Sequence, residues 1–193
     1  MRFLIIESHP YEQSFNTNAA EMIRKILTSK SYTVDTINLI EDKFDPTVYT
    51  DDLKLWNEGK TKDKLVEKYQ NMITNSDTLI IPFPVWWGSM PAILRGFWDK
   101  VLLPGWAYNI REDGSLYGLI KGKKAIVITT MSAPLSVFND NLQNPIRGAF
   151  IKNTLEVCGF EVLKHFEIEK IDLGHFYTDE KMLEIKHFFN GLN

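Results

Sequence analysis

Cysteine is nearly missing from this chain: Cys158 is the only one among 193 residues. An internal disulfide framework is excluded, and a reducing, cytoplasmic setting is expected. No apolar run approaches the roughly 20 residues a membrane helix needs. The opening run, Phe3 to Ile6, stops at Glu7 and is too short for a secretory signal. An integral membrane segment is therefore not expected. A large excess of either charge is missing as well, with 22 Lys and Arg against 25 Asp and Glu. With a net charge of −3 and a pI near 5.8, electrostatics offer nothing to a nucleic-acid partner. Several catalytic signatures are also missing. There is no G-x-G-x-x-G, no G-x-x-x-x-G-K-[ST], no H-E-x-x-H and no G-x-S-x-G. The dinucleotide fingerprint, the P-loop, the zinc-protease pair and the nucleophile elbow are excluded in turn. The four histidines (His9, His165, His175 and His187) lack metal-ligand spacing, so no metal site is expected.

What is present is a regular alternation of apolar runs and helical patterns. Phe3–Ile6 has no polar alternation, the mark of a strand buried on both faces. Ser14 suits an N-cap for a helix to about Lys30, with Ala19, Met22, Ile23, Ile26 and Leu27 on one face. Tyr32–Leu39 alternates and reads as a second strand near the sheet edge. Asp52 to Asn75 is polar and helical in character. Thr78–Phe83 reads as a third strand, followed by a loop and a helix with Pro91 as its second residue. Residues 104–122 form a surface excursion whose Asp113-Gly114 predicts a turn and a small hairpin. Lys124–Thr130 reads as strand four, residues 131–144 as a loop, and Pro145–Cys158 as a helix stopped by Gly159. Phe160–Ile168 is the fifth strand, and Asp179–Phe189 a closing helix with Thr178 at its cap. With no repeat and no linker, residues 1–193 are read as one domain. The expectation is an α/β fold, a three-layer, doubly wound, five-stranded parallel sheet.

In such sheets ligands sit beyond the carboxyl ends of the strands. Three loops meet there. The first, ESHPYEQSFN, places His9 ahead of Ser14, Phe15 and Asn16 at a helix start, where free N–H groups and a hydroxyl suit a phosphate. Read blandly, Ser14 is only a cap and His9 a loop residue. The second, Pro84–Met90, contains Pro84, Val85, Trp86, Trp87 and Gly88. Two consecutive indoles cannot both enter one core pocket, and they suit the wall of a flat heteroaromatic site. Trp98, in the following helix, has packing spacing instead. The third, Thr129 and Thr130 with Met131 and Ser132, brings hydroxyls and amides to the same crevice. Trp106 and Tyr108 suit either covering a ring or a subunit contact. Cys158 reads as buried and inert.

These motifs carry a resemblance. SHPYEQSFN (8–16), FPVWWGSMPAILRGFWDKV (83–101), PGWAY (104–108), KGKKAIVITT (121–130) and LEVCGFEVL (155–163) are together similar to the NAD(P)H:quinone oxidoreductase family of the flavodoxin-like fold. The resemblance implies a bound flavin, FAD or FMN, with phosphates near His9, Ser14, Phe15 and Asn16. The ring would lie against Pro84–Gly88 and Thr129–Thr130. It further implies NAD(P)H as electron donor, a quinone-like or other small acceptor, and a homodimer in which Trp106 and Tyr108 help close the partner's site. Asp99 matches a position that contacts the adenine of FAD in some members. One departure matters. Where studied members have two glycines, then a tyrosine and a histidine that assist hydride transfer, this chain has Met131, Ser132, Ala133 and Pro134, with Val137 near the tyrosine position. The resemblance therefore carries no proton relay to this chain. Two alternatives stand beside the enzyme: a flavin-binding ancillary subunit of a potassium efflux system, and a one-electron carrier, against which the modest net charge weighs.

Overall fold

The computed structural model describes residues 1–171 and 175–192. Among these residues, seven strands and six α-helices follow in chain order: β1 (Arg2–Glu7), α1 (Phe15–Ser29), β2 (Thr33–Asn38), α2 (Thr50–Trp56), α3 (Lys64–Thr74), β3 (Thr78–Pro84), α4 (Ala92–Val101), β4 (Tyr108–Ile110), β5 (Leu116–Gly118), β6 (Lys124–Thr130), α5 (Leu135–Asp140), β7 (Glu161–Ile168) and α6 (His175–Gly191). A π-helix, Ile146–Glu156, precedes β7. Five strands pair in parallel in the order β2-β1-β3-β6-β7, as the unalternating apolar runs require, and β4 and β5 form the separate hairpin.

Both sheet faces are covered. On one, Phe3, Ile5, Ile80, Ile126 and Phe166 meet Ala19, Ile23 and Leu27 of α1 and Ile185 and Phe189 of α6. On the other, Leu4, Leu79, Ile81 and Val127 meet Tyr69 of α3, Phe97 and Trp98 of α4, and Phe150 and Leu155 of the π-helix. Trp98 is core, as its spacing predicts, with ring centroids 4.8 Å from Phe97 and 5.4 Å from Phe150. Cys158 is buried, and burial pushes its thiol up to about 11. Gly159 ends the helical stretch at φ 103°.

Four boundaries differ from the sequence reading. The stretch 52–75 is two helices, because Gly59 turns left-handed (φ 66°) and Asp63 caps a new start by accepting from the Leu65 N–H. Pro91 is the N-cap of α4 rather than its second residue. The segment 131–144 is not all loop, since α5 forms within it. Its first N–H, on Leu135, donates to Glu169, a cap supplied from 34 residues away and invisible to local pattern. Thr178 lies inside α6, which starts at His175.

The long connection between β2 and β3 is pinned by Lys100 of α4. Its Nζ donates to Asp63 Oδ2 at 2.8 Å and to the Asp45 carbonyl at 3.1 Å, and lies 5.3 Å from the Phe44 ring centroid. Removing one member of a buried pair leaves the other uncompensated. Asp63 keeps a quarter of its side chain exposed, which softens the effect. Lys100→Ala is expected to lower stability by about 2 kcal/mol in urea denaturation, and Lys100→Met by less because the stem's packing survives.

Candidate functional site

Sheet order places β1 between β2 and β3, so the connections leaving β1 and β3 depart to opposite sides and open a crevice at their carboxyl ends. A cavity of about 280 Å³ occupies it, lined by His9, Tyr11, Ser14, Phe15, Asn16, Pro84, Val85, Trp86, Thr130, Met131, Ser132 and Ile171. The three loops are stitched together. Asn16 Nδ2 donates to Thr130 Oγ1 at 2.9 Å, joining α1 to β6, and the Val85 N–H donates to the Thr130 carbonyl at 2.7 Å, joining β3 to β6. The Met131 N–H reaches the Ile168 carbonyl at 2.8 Å, and the Ile171 N–H reaches the Met131 carbonyl at 3.1 Å.

Ser14 is the N-cap of α1, accepting from the Thr17 N–H at 3.1 Å, so its hydroxyl has the bland role as well. The N–H groups of Phe15 and Asn16, at the helix start, have no intrahelical partner and bring the positive end of the dipole to the cavity. His9 Nδ1 accepts from the Tyr11 N–H at 3.0 Å, which leaves the proton of the neutral ring on Nε2. Burial holds this imidazole below its ordinary value. Among the described residues, no Lys, Arg, Asp or Glu lines the cavity. An anion here would rely on amides, hydroxyls and one imidazole.

The tryptophan loop is a two-residue turn. Trp86 and Ser89 exchange hydrogen bonds at 2.8 and 3.0 Å, and Trp87 and Gly88 at its tip have φ of 52° and 73°. A bulky residue held in the left-handed region is strained, a condition that clusters at ligand sites. Trp86 lines the cavity with its ring centroid 6.1 Å from that of His9. Trp87 is fully exposed beside it. The Trp86 amide is committed to Ser89, leaving the N–H groups of Trp87 and Gly88 uncommitted among the described residues.

Thr129 faces away from the cavity, toward His165. Trp106 and Tyr108 also stand apart in their own chain: Trp106 Nε1 points to Thr74 Oγ1 at 3.4 Å, and Tyr108 lines a groove with Trp98 and Cys158. Sequence reasoning missed Tyr11 and Ile171. Tyr11 falls inside a motif already singled out. Ile171 was findable only as the residue beyond the last strand's carboxyl end, which reaches the same rim.

Two buried oxygens test what the site would hold. Asn16 Oδ1 and Ser8 Oγ have no hydrogen-bond partner among the described residues. A buried acceptor without a donor costs about 1–3 kcal/mol, which a ligand hydroxyl beside Asn16 would recover. A polyhydroxylated, phosphorylated, flat molecule fits these walls.

A family model of the flavodoxin-like fold matches residues 1–186. The chain belongs to this family. An uncharacterised NAD(P)H oxidoreductase of Haemophilus influenzae is 28% identical over 83% of this chain and 80% of its own. NAD(P)H dehydrogenase [quinone] 1 of Cavia porcellus is 28% identical over 84% of this chain and 66% of its own. The solved structure of Smu.1420 from Streptococcus mutans covers all of both chains at a TM-score of 0.88 and 30% identity. Family membership thus agrees with the five-stranded parallel sheet and with oxidoreductase relatives, and the ancillary-subunit alternative finds no support among them.

Proposed function

We propose that this chain is a flavin-dependent NAD(P)H oxidoreductase that passes reducing equivalents to a quinone-like or other small acceptor. The observation that carries the reading is one cavity uniting a helix start, a tryptophan turn and a hydroxyl-bearing strand end. The flavin, FMN or FAD, supplies the hydride chemistry when bound. The chain's own residues bind, orient and exclude water. The Phe15 and Asn16 amides and His9 Nε2–H hold the phosphate. Asn16 Oδ1 accepts from the sugar chain, and the Trp86 indole flanks the ring. The free N–H groups of Trp87 and Gly88 would offer hydrogen-bond donors to a bound ring's polar edge. Trp106 and Tyr108, remote from their own cavity, close the site of a second copy in a homodimer. The chain works in the cytoplasm.

The test is an absorption spectrum of purified protein incubated with FMN or FAD, chromatography of the flavin released by acid, and NAD(P)H oxidation with a quinone. A yellow protein that turns over supports the reading; a colourless one that takes up neither flavin overturns it. Trp86→Ala is expected to weaken flavin binding about fivefold, since one aromatic partner is worth about 1 kcal/mol beyond burial. Fluorescence titration reads this directly, and unchanged affinity would remove the indole from the ring's wall.

A further inference from the structure

A polar chain runs behind the cavity wall, where no motif pointed. Thr129 Oγ1 donates to the Phe166 carbonyl at 3.3 Å and lies 2.9 Å from His165 Nε2. When the hydroxyl donates to that carbonyl it accepts from the imidazole, and the neutral ring then carries its proton on Nε2 with Nδ1 bare, 4.0 Å from Glu167 Oε1. That same carboxylate oxygen accepts from Asn144 Nδ2 at 2.7 Å. Asn144 is buried and left-handed (φ 46°). Its amide also donates to Asn139 Oδ1 at 2.9 Å and accepts from the Arg147 N–H at 3.0 Å. At the other end of α5, Glu169 Oε2 receives the Leu135 N–H at 2.5 Å.

Residues 135–145 thus hang on two carboxylates at the end of β7. They bear on the cavity from both sides. Met131 and Ser132, which lead into the segment, line it, and Leu142 and Pro145 pack within 4 Å of where a Cβ on Gly88 would stand, beneath the tryptophan turn.

We propose that His165 is a positioning residue for the bound flavin: a proton taken up at Nδ1 turns Glu167 from Asn144 toward the imidazolium, and the loosened segment 135–145 relaxes the grip of Met131, Ser132 and Gly88. The consequence for flavin rests on the function proposed above; the coupling between His165 and the segment does not. Among the described residues, the charged groups facing the ring are Glu167 on its own strand and Arg147 from the π-helix; β6 contributes the untitratable Thr129. Burial holds the imidazole below its ordinary 6.5, Glu167 opposes that, and Arg147 reinforces it. A histidine lowered in the folded state contributes stability above the unfolded value, and that contribution is lost as pH falls through the folded one. Loosening therefore belongs to the acid side of 6.5.

Amide spectra of the flavin-free chain, titrated from about pH 7.5 to about pH 5, test the coupling. The Thr130, Met131 and Ser132 amides and the Asn144 side-chain amide are expected to shift with the midpoint of the His165 ring. The shared step is expected to vanish in His165→Gln, and in Glu167→Gln, which keeps an acceptor for Asn144 without the charge. Across the same range the dissociation constant for FMN is expected to rise about tenfold in the wild type and to stay flat in His165→Gln. Amides that ignore the His165 midpoint in the wild type overturn the proposal without recourse to any variant, and so does an unchanged FMN affinity in a chain that binds FMN. A chain that shows the shared midpoint yet takes up no flavin upholds the coupling and overturns the flavin reading instead.

Discussion

Gly96→Ala is expected to cost this protein about 3 kcal/mol of stability, and Gly96→Val to leave little folded chain. Gly96 lies in α4, where an alanine would ordinarily gain about 1 kcal/mol of helix propensity. Here the sign reverses. A Cβ on Gly96 would stand 2.2 Å from the Pro46 carbonyl oxygen and 2.7 Å from its Cα, both backbone atoms that no rotamer change can move. Relief requires α4 or residues 45–49 to shift as a body. Leu94, Phe97, Trp98 and Val101 anchor the helix in the core, and Lys100 ties it to the Asp45 carbonyl, one residue from the clash. Because α4 follows directly on the tryptophan turn, a displaced helix also disturbs the cavity's wall. Urea denaturation of the alanine variant reads the effect; a midpoint equal to or above that of the wild type would show that the segment yields freely.

The features legible in the sequence are those written in local pattern. Unalternating runs at 3–6, 78–83 and 124–130 announced strands buried on both faces, and the alternating 32–39 segment announced an edge; the sheet has that arrangement. Once the sheet was parallel, the three loops at its carboxyl rim followed from topology, and they converge. Trp98 was separable from Trp86 because helix spacing places the first in the core while a turn exposes the second. What stayed hidden depends on partners far along the chain. The start of α5 is capped by Glu169, and the break between α2 and α3 is held where Gly59 passes the Pro104 carbonyl. The turn's geometry decides which tryptophan enters the cavity, and a pair of consecutive letters does not encode it. His165 has no metal spacing in the sequence; only strand pairing brings β7 beside β6 and the ring against Thr129.

Asn16 is the side chain on which flavin retention should depend most. It is 3% exposed, spends its Nδ2 on Thr130 Oγ1 at 2.9 Å, and holds Oδ1 without a partner beside the cavity. Asn16→Leu fills much the same volume but removes both functions at once: the stitch between α1 and β6, and the acceptor offered to the ligand. Loss of the stitch falls on stability, while a ligand hydroxyl left buried without its acceptor costs about 2 kcal/mol, or about thirtyfold in the flavin dissociation constant. Asn16→Asp separates binding from folding. A carboxylate in the first turn of α1 is favoured by the helix dipole and can accept from the Thr130 hydroxyl, which together offset part of the cost of burying a charge. The same charge stands where a phosphate is expected and repels it, so flavin affinity should fall even so. Calorimetry and fluorescence titration on the two variants read stability and binding separately. If Asn16→Asp binds flavin as tightly as the wild type, the helix start is not where the anion sits.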